Sequence, residues 1–483
     1  MLYTIVALAG AGALLCILWQ GLRYIWWKDG RLLPAWTVWH SESFYDRTGK
    51  YVVKVEDKTT YVLLQDKNIW TSPEEVKVQK ALLTDIDSDD EEELILLCWK
   101  KGRYGSHKPF WIEKDEKSWS QHIFVYEWSQ GEIRPKWMSS YIGQDAADMW
   151  VRDSAAACGR LLLTDPEGQV SCWVWDSWGF VKEETDVSFA LFGDNLIHEP
   201  IYRYGLYHDE SFGFLFENVK DSIARSDVAV IHQETPLTDD PSLYSGYPRF
   251  ATPAGVGEAI AEAGFDVVTC ASNHALDMGG EGVDATKQLF EAQGVKCLGI
   301  QTSGETAYRP YDIVVRNGAR FAMLNYTYGT NGMKIPDGNP YMVHLLKDGE
   351  QVKEDIAKAK LASDFVIVFV HWGTEYLGET DEFQQKWTQV FLESGVDVTV
   401  GTHPHVLQPY EVLKNADGHE MLIYYSIGNF ISAQPEKSCV KGGMAYFTVS
   451  LTPEGYRISD YGLQPLAITW QKGGKYSVDF GNK

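Results

Sequence analysis

Six apolar runs in the C-terminal part of the chain each stop on residues that can bind a metal. "VSFALFGDN" reaches Asp194, "DVAVIHQETP" reaches His232 and Glu234, and "FDVVTCASNHALD" reaches Asn273, His274 and Asp277. "FVIVFVHWGTEY" reaches His371 and Glu375, "VDVTVGTHPHV" reaches His403 and His405, and "LIYYSIGNF" reaches Asn429. Runs this continuously apolar are strands of a sheet covered on both faces, and ligand sites in such α/β sheets lie beyond the carboxyl ends of the strands. Six runs aiming polar groups at one edge therefore predict an α/β domain with one composite site.

The residue types narrow the chemistry. Asp194, Glu234, Asn273, His371, His403 and His405 form a mixed nitrogen and oxygen set, which suits Zn, Mn or Fe better than calcium or magnesium alone. Six such groups exceed what one tetrahedral ion needs and are enough for a pair sharing a carboxylate, so one or two divalent transition-metal ions are expected. A pair can polarise a phosphoryl or acyl oxygen and generate hydroxide near neutral pH. The competing reading of the third run is a helix N-terminus, with Asn273 as cap and Asp277 complementing the dipole.

Between Trp36 and Phe180 the chain changes character, because 12 of its 18 tryptophans lie there. Three strand-like runs, "ELILLCW", "HIFVYEW" and "QVSCWVW", each end in Trp and are followed by polar turns. An all-β domain over residues 36–184 is expected, with a repeat like propeller blades but too few of them to close a ring alone. Its segment "TDIDSDDEEELIL" places Asp85, Asp87, Asp89 and Glu93 at alternate positions of a loop entering a strand, a spacing that suits Ca²⁺. The segment resembles the calcium loop of FG-GAP-type propeller repeats, with Ser88 and Asp90 where that pattern prefers glycine. A solvated acidic turn is the alternative. The isolated His40, His107 and His122 are read as structural.

The first 22 residues carry no charged side chain. As a helix they would be about 33 Å long, enough to span a bilayer, and Trp19, Tyr24, Trp26 and Trp27 at the end resemble an interfacial belt. Residues 1–31 are accordingly expected to be an uncleaved transmembrane anchor with its juxtamembrane segment. Arg23, Lys28 and Arg31 follow the span, and the positive-inside rule would keep the bulk of the protein cytoplasmic. A net charge of -24 argues against a nucleic-acid partner. The seven cysteines show no CxxC spacing and read as buried small hydrophobes.

From about Val187 to Gly462 the chain resembles the CapA family of poly-γ-glutamate capsule biosynthesis proteins, whose fold is similar to calcineurin-like metallophosphoesterases. The matching residues are "FGDN", "QETPLT", "GFDVVTCASNHALDMGGEGVDATKQLFEAQGV", "VHWGTEY", "GVDVTVGTHPHVLQP" and "YSIGNF". The resemblance implies a metallophosphatase-like sandwich over residues 187–470 and the six metal ligands named above. It further implies His274 as general acid or oxyanion donor, with Asp277 fixing its tautomer. Calcineurin-like enzymes begin with Asp-x-His; here Asp194 matches the Asp, but Leu196 occupies the position of the ligand His, which weakens one metal. The family also implies a location outside the membrane, against the local charges, and an anionic surface polymer or its synthase complex as partner. The functional expectation is a membrane-anchored, metal-dependent protein of poly-γ-glutamate or related surface-polymer synthesis. The alternatives are a phosphoesterase unrelated to capsule, or a non-catalytic export or assembly subunit.

Overall fold

The computed structural model describes residues 26–28, 31–104, 110–129, 131–151, 160–208, 211–471 and 474–481. The expected membrane span at residues 1–22 lies outside them, as do Cys16, His107 and Cys158; among the described residues no helix is long and apolar enough to cross a membrane. The chain divides into two compact units, one running to Thr185 and taking in Leu451–Glu454, the other formed by Asp186–Ser450 and the chain from Gly455 onward.

The first unit contains three four-stranded antiparallel sheets, each a meander in chain order. The middle one, Lys77–Thr84, Glu93–Lys101, Trp119–Ser129 and Glu132–Met138, explains the unbroken apolar run that begins at Glu93. Leu94, Leu96 and Cys98 pack with Val53, Val55 and Val62 of the preceding sheet, while Ile95 and Leu97 pack with Met149, Leu161 and Leu163 of the following one. Side chains alternate across a strand, so a sheet covered on both faces must be apolar at every position. The tryptophans that end these runs pack at the margins, Trp99 on Trp36 and Trp175 on Trp137 and Phe180. His122 is buried and satisfied, with Nδ1 3.0 Å from the Ser139 carbonyl oxygen and Nε2 2.8 Å from Ser120 Oγ.

Two sheets face each other in the second unit. One has the spatial order Lys296–Leu298, Val267–Thr269, Val228–Gln233, Val187–Asn195, Lys441–Thr452, Gly455–Trp470 and Tyr476–Phe480. Its first four strands are parallel, and the short strand Asn429–Ile431 joins the end of Val187–Asn195. The expected domain end at residue 470 falls short of the final strand, which pairs with Gly455–Trp470 and buries Val478. The other sheet is built on four parallel strands, Ala319–Thr327, Phe365–His371, Val398–Thr402 and Glu420–Tyr424. Phe189, Phe321, Phe365 and Phe447 fill the space between the sheets. Helices Gly255–Ala263 and Gly279–Ala292 cover the outer face of the first sheet, and Gly349–Ala362 and Glu382–Ser394 that of the second. The result is a four-layer α/β/β/α sandwich, with the carboxyl ends of the parallel strands carrying the polar residues.

Among the described residues Cys98, Cys172, Cys270, Cys297 and Cys439 are free and buried. Burial pushes the Cys98 and Cys270 thiols up, as expected of small core hydrophobes.

Candidate metal centre

Parallel register brings the site together from strands far apart in sequence. Asp194 stands opposite His232 on the adjacent strand, and Asn429 pairs back against Asp194. The strand carrying Asp194 passes so close to this last segment that a Cβ on Gly193 would lie 1.8 Å from the Gly428 carbonyl oxygen. Only glycine permits that approach. On the facing sheet, His371 ends its strand beside Thr402, and the chain then turns through His403 and His405 with φ of 97° and 60°. A left-handed backbone at two non-glycine residues flanking Pro404 is strained and persists only where surrounding structure holds it.

Two triads result, Asp194 with His232 and His371, and Glu234 with His403 and His405, each offering ligand atoms within 4.8 Å of one another. They adjoin. His371 lies with Nδ1 3.8 Å from Asp194 Oδ1 and Nε2 3.8 Å from Glu234 Oε1. His405 likewise lies with Nδ1 3.2 Å from Asp194 Oδ2 and Nε2 3.9 Å from Glu234 Oε1. Asn273 joins them through Oδ1, 2.9 Å from His371 Nε2.

The residues fit a metal by an observation independent of any motif. Asp194 Oδ1, His232 Nε2, both Glu234 carboxylate oxygens and His403 Nδ1 are buried without a hydrogen-bond partner. A buried polar atom left unpaired costs about 1–3 kcal/mol, more when charged, and native structures rarely tolerate it. Five such atoms converging in one place fit a metal-ligand set. Electrostatics agree for three of the rings. Burial pushes His232 down to about 4 and His403 to about 3, and burial with neighbouring imidazoles holds His371 well below its usual range, so these rings are in the neutral, ligating form. Burial, then the charges of Asp194, Glu375 and Asp277, drive Glu234 well above the carboxylate range despite His405. His405 alone rises, to about 9, where Glu234 and Asp194 outweigh its burial.

The surrounding hydrogen bonds assign the ligand atoms. His232 Nδ1 lies 2.9 Å from Thr269 Oγ1, leaving Nε2 for the ion, and His405 Nδ1 lies 3.0 Å from Asn429 Oδ1, leaving Nε2 toward Glu234. Such partners fix ring orientation and tautomer. His274 stands beside the triads with Nδ1 2.6 Å from Asp277 Oδ2, and the same carboxylate oxygen accepts from the Phe250 N–H. Helix Gly279–Ala292 starts after Met278, with no side-chain cap. Asn273 therefore does not cap it, and its amide oxygen faces His371 instead, while Asp277 lies just ahead of the helix start and is hydrogen-bonded to His274.

Two residues outside the predicted ligand set also belong here. His232 precedes Glu234 by two, a strand period that puts both on one face; that spacing was the available signal. Leu196, at the position where Asp-x-His supplies a ligand, is buried in the core. His232, brought in by the neighbouring strand, places a ring nitrogen 3.8 Å from Asp194 Oδ1. Tyr328 had no signal. It follows strand Ala319–Thr327, its ring centroid 4.7 Å from that of His403, and burial with Glu375 and Glu234 pushes its phenol up to about 12.

In the first unit Asp85, Asp87 and Glu93 also come together. Ser88 and Asp90, at the positions where glycine was expected, adopt φ of 61° and 71°. The Asp85 carboxylate accepts the Asp89 and Asp90 N–H groups, and Asp89 Oδ1 accepts that of Glu91. Lys136 Nζ bridges Asp87 Oδ2 at 2.6 Å and Glu93 Oε1 at 2.5 Å. An ammonium thus stands between two of the expected calcium ligands.

Two facing sheets with a buried His and carboxylate cluster at their carboxyl edge define an α/β sandwich with a candidate metal site. The chain belongs to the family described as bacterial capsule synthesis protein PGA_cap, which matches residues 188–434. It is similar to the capsule biosynthesis protein CapA of Bacillus anthracis, 28% identical over 52% of this chain and 61% of that one. It is also similar to the PGA biosynthesis protein CapA of Bacillus subtilis strain 168, 32% identical over 37% of this chain and 45% of that one. The chain thus spans less than two-thirds of the length of these relatives. Among solved structures, the NAD nucleotidase of Haemophilus influenzae shows 14% identity and a TM-score of 0.40, covering 61% of this chain and 54% of its own.

Proposed function

We propose that this chain is a metal-dependent hydrolase or transferase of surface-polymer synthesis, acting in the making of poly-γ-glutamate or a related capsule polymer. The observation that carries the reading is the convergence of five buried, partnerless ligand atoms, and family membership supplies the context. Asp194, His232 and His371 would hold one ion and Glu234, His403 and His405 the other, with Asn273 contributing its amide oxygen. Bound there, transition-metal ions supply Lewis-acid polarisation of a phosphoryl or acyl oxygen and a nucleophile from water at neutral pH. The chain's own part is proton handling and orientation. Asp277 holds the Nδ1–H of His274, so Nε2 is the atom that takes up and returns a proton. The test is metal analysis of the purified protein together with hydrolysis of a generic phosphodiester and of a γ-glutamyl oligomer, before and after chelation. Stoichiometric metal without turnover on either class would favour an export or assembly subunit.

The chain is further read as anchored through residues 1–22 with its second unit outside the cell. Protease added to wall-stripped cells should then digest that unit. Protection until lysis would place it in the cytoplasm, as the charges of Arg23, Lys28 and Arg31 require.

At the acidic turn the Lys136 ammonium takes the role of a calcium ion. Calcium at about 1 mM, a concentration typical for weak extracellular sites, should leave the melting temperature of the native protein unchanged and raise that of Lys136→Ala. A rise in the native protein would show that the ion displaces the lysine.

A further inference from the structure

The geometry points to the Tyr328 hydroxyl as a second hydrogen-bond donor to the reacting oxyanion of the substrate, an inference that rests on the metal-dependent reading above. Tyr328 follows directly on strand Ala319–Thr327, whose last residue is registered against His371, and its own N–H donates to the His371 carbonyl oxygen at 2.9 Å. The backbone therefore places it at the same edge as the ligands. Its ring lies 4.7 Å from His403 and nearly parallel to His371, at 16° and 6.5 Å, so it packs beside one imidazole of each triad.

The hydroxyl hydrogen is free to serve a ligand. Asn273 turns its amide oxygen toward His371 Nε2, which leaves the amide nitrogen with two hydrogens to give. One goes to Asn331 Oδ1 at 3.3 Å, and the amide acts on the nearby Tyr328 phenol as a donor would. Among the described residues no carboxylate is hydrogen-bonded to the Tyr328 O–H, although Glu375 and Glu234 lie near enough to act on it electrostatically. Tyr328 is also half-buried where Asp194, Glu234 and the ligand histidines are buried, so of these residues it is the one with surface exposed to solvent. On a chain of net charge -24 an anionic substrate needs local donors. A neutral O–H on a ring packed beside two ligand histidines is one such donor, and preorganised donors of this kind are what stabilise developing anions.

The shared chemistry is an anionic oxygen, carried by a phosphoryl group or by a γ-glutamyl carbonyl or carboxylate, and two probes separate the sources. Tungstate and tri-γ-glutamate are titrated calorimetrically into the metal-loaded full chain and into its Tyr328→Phe variant, with metal content and melting temperature measured for both. Phenylalanine keeps the ring on His403 and removes only the hydroxyl. The expected result is unchanged metal and melting temperature with at least about tenfold weaker binding of one probe, the size of a hydrogen bond to a charged group; the probe affected identifies the source. Equal affinity for both probes in the two proteins overturns the assignment while leaving the metal reading intact. Loss of metal in the variant also overturns it, because the hydroxyl would then serve to hold Asn273. Failure of the metal-loaded native chain to bind either probe overturns the hydrolase reading and this inference with it.

Discussion

His232→Ala purified without its first 31 residues should retain about one metal equivalent where the native second unit carries about two, since the variant keeps Glu234, His403 and His405 but loses the nitrogen of the other triad. His232 Nε2 has no hydrogen-bond partner and sits 3.8 Å from Asp194 Oδ1, so alanine removes a ligand atom together with the Thr269 hydrogen bond and the packing on His371, and metal content is the readout that isolates the first. Bound metal stabilises the folded state by mass action, about 2.7 kcal/mol at a hundredfold excess over the dissociation constant. Losing one ion should therefore lower the melting temperature by roughly 5–10 °C in a unit of this size. The two readouts should move together, and adding metal should fail to restore either at concentrations that saturate the native protein. His403→Ala should behave in the same way through the other triad. Full metal content in both variants would show that the triads do not hold the ions.

The second large effect separates neighbours. Asn273→Ala should lose metal affinity, because its amide oxygen faces the cluster beside His371. His274→Ala should keep its metal and its melting temperature but lose turnover by about 10² to 10⁴-fold, the usual effect of removing a general acid or base. The imidazole contacts Asp277 and the Phe250 ring, none of which is placed in the ligand set. Asp277→Asn, which keeps the shape but no longer demands a proton on His274 Nδ1, should fall between the two in turnover. Retained activity in His274→Ala would remove this histidine from the chemistry.

Chain pattern alone determined the layered α/β unit and most of the site. An apolar strand followed by a polar residue is a local signal, and five of its six repeats carry Asp194, Glu234, Asn273, His371, His403 and His405, which it offered as candidates without any knowledge of pairing. Alternation explains why the same reading worked for the middle sheet of the first unit, where Leu94 to Trp99 are apolar at every step because both faces are covered. What only tertiary structure decided are the relations between residues distant in sequence. His232 becomes the partner of Asp194 through strand register, a contact across 38 positions that brings in a ring nitrogen where Leu196 offers none. Lys136 reaches Glu93 across 43 positions and places an ammonium in the acidic turn. Tyr328 meets His403 only because two parallel strands end at the same edge. Periodicity reports which face of its own element a residue occupies, whereas ligand partition and charge compensation depend on which other element that face meets, and burial then makes each unpaired atom costly enough to single out that arrangement.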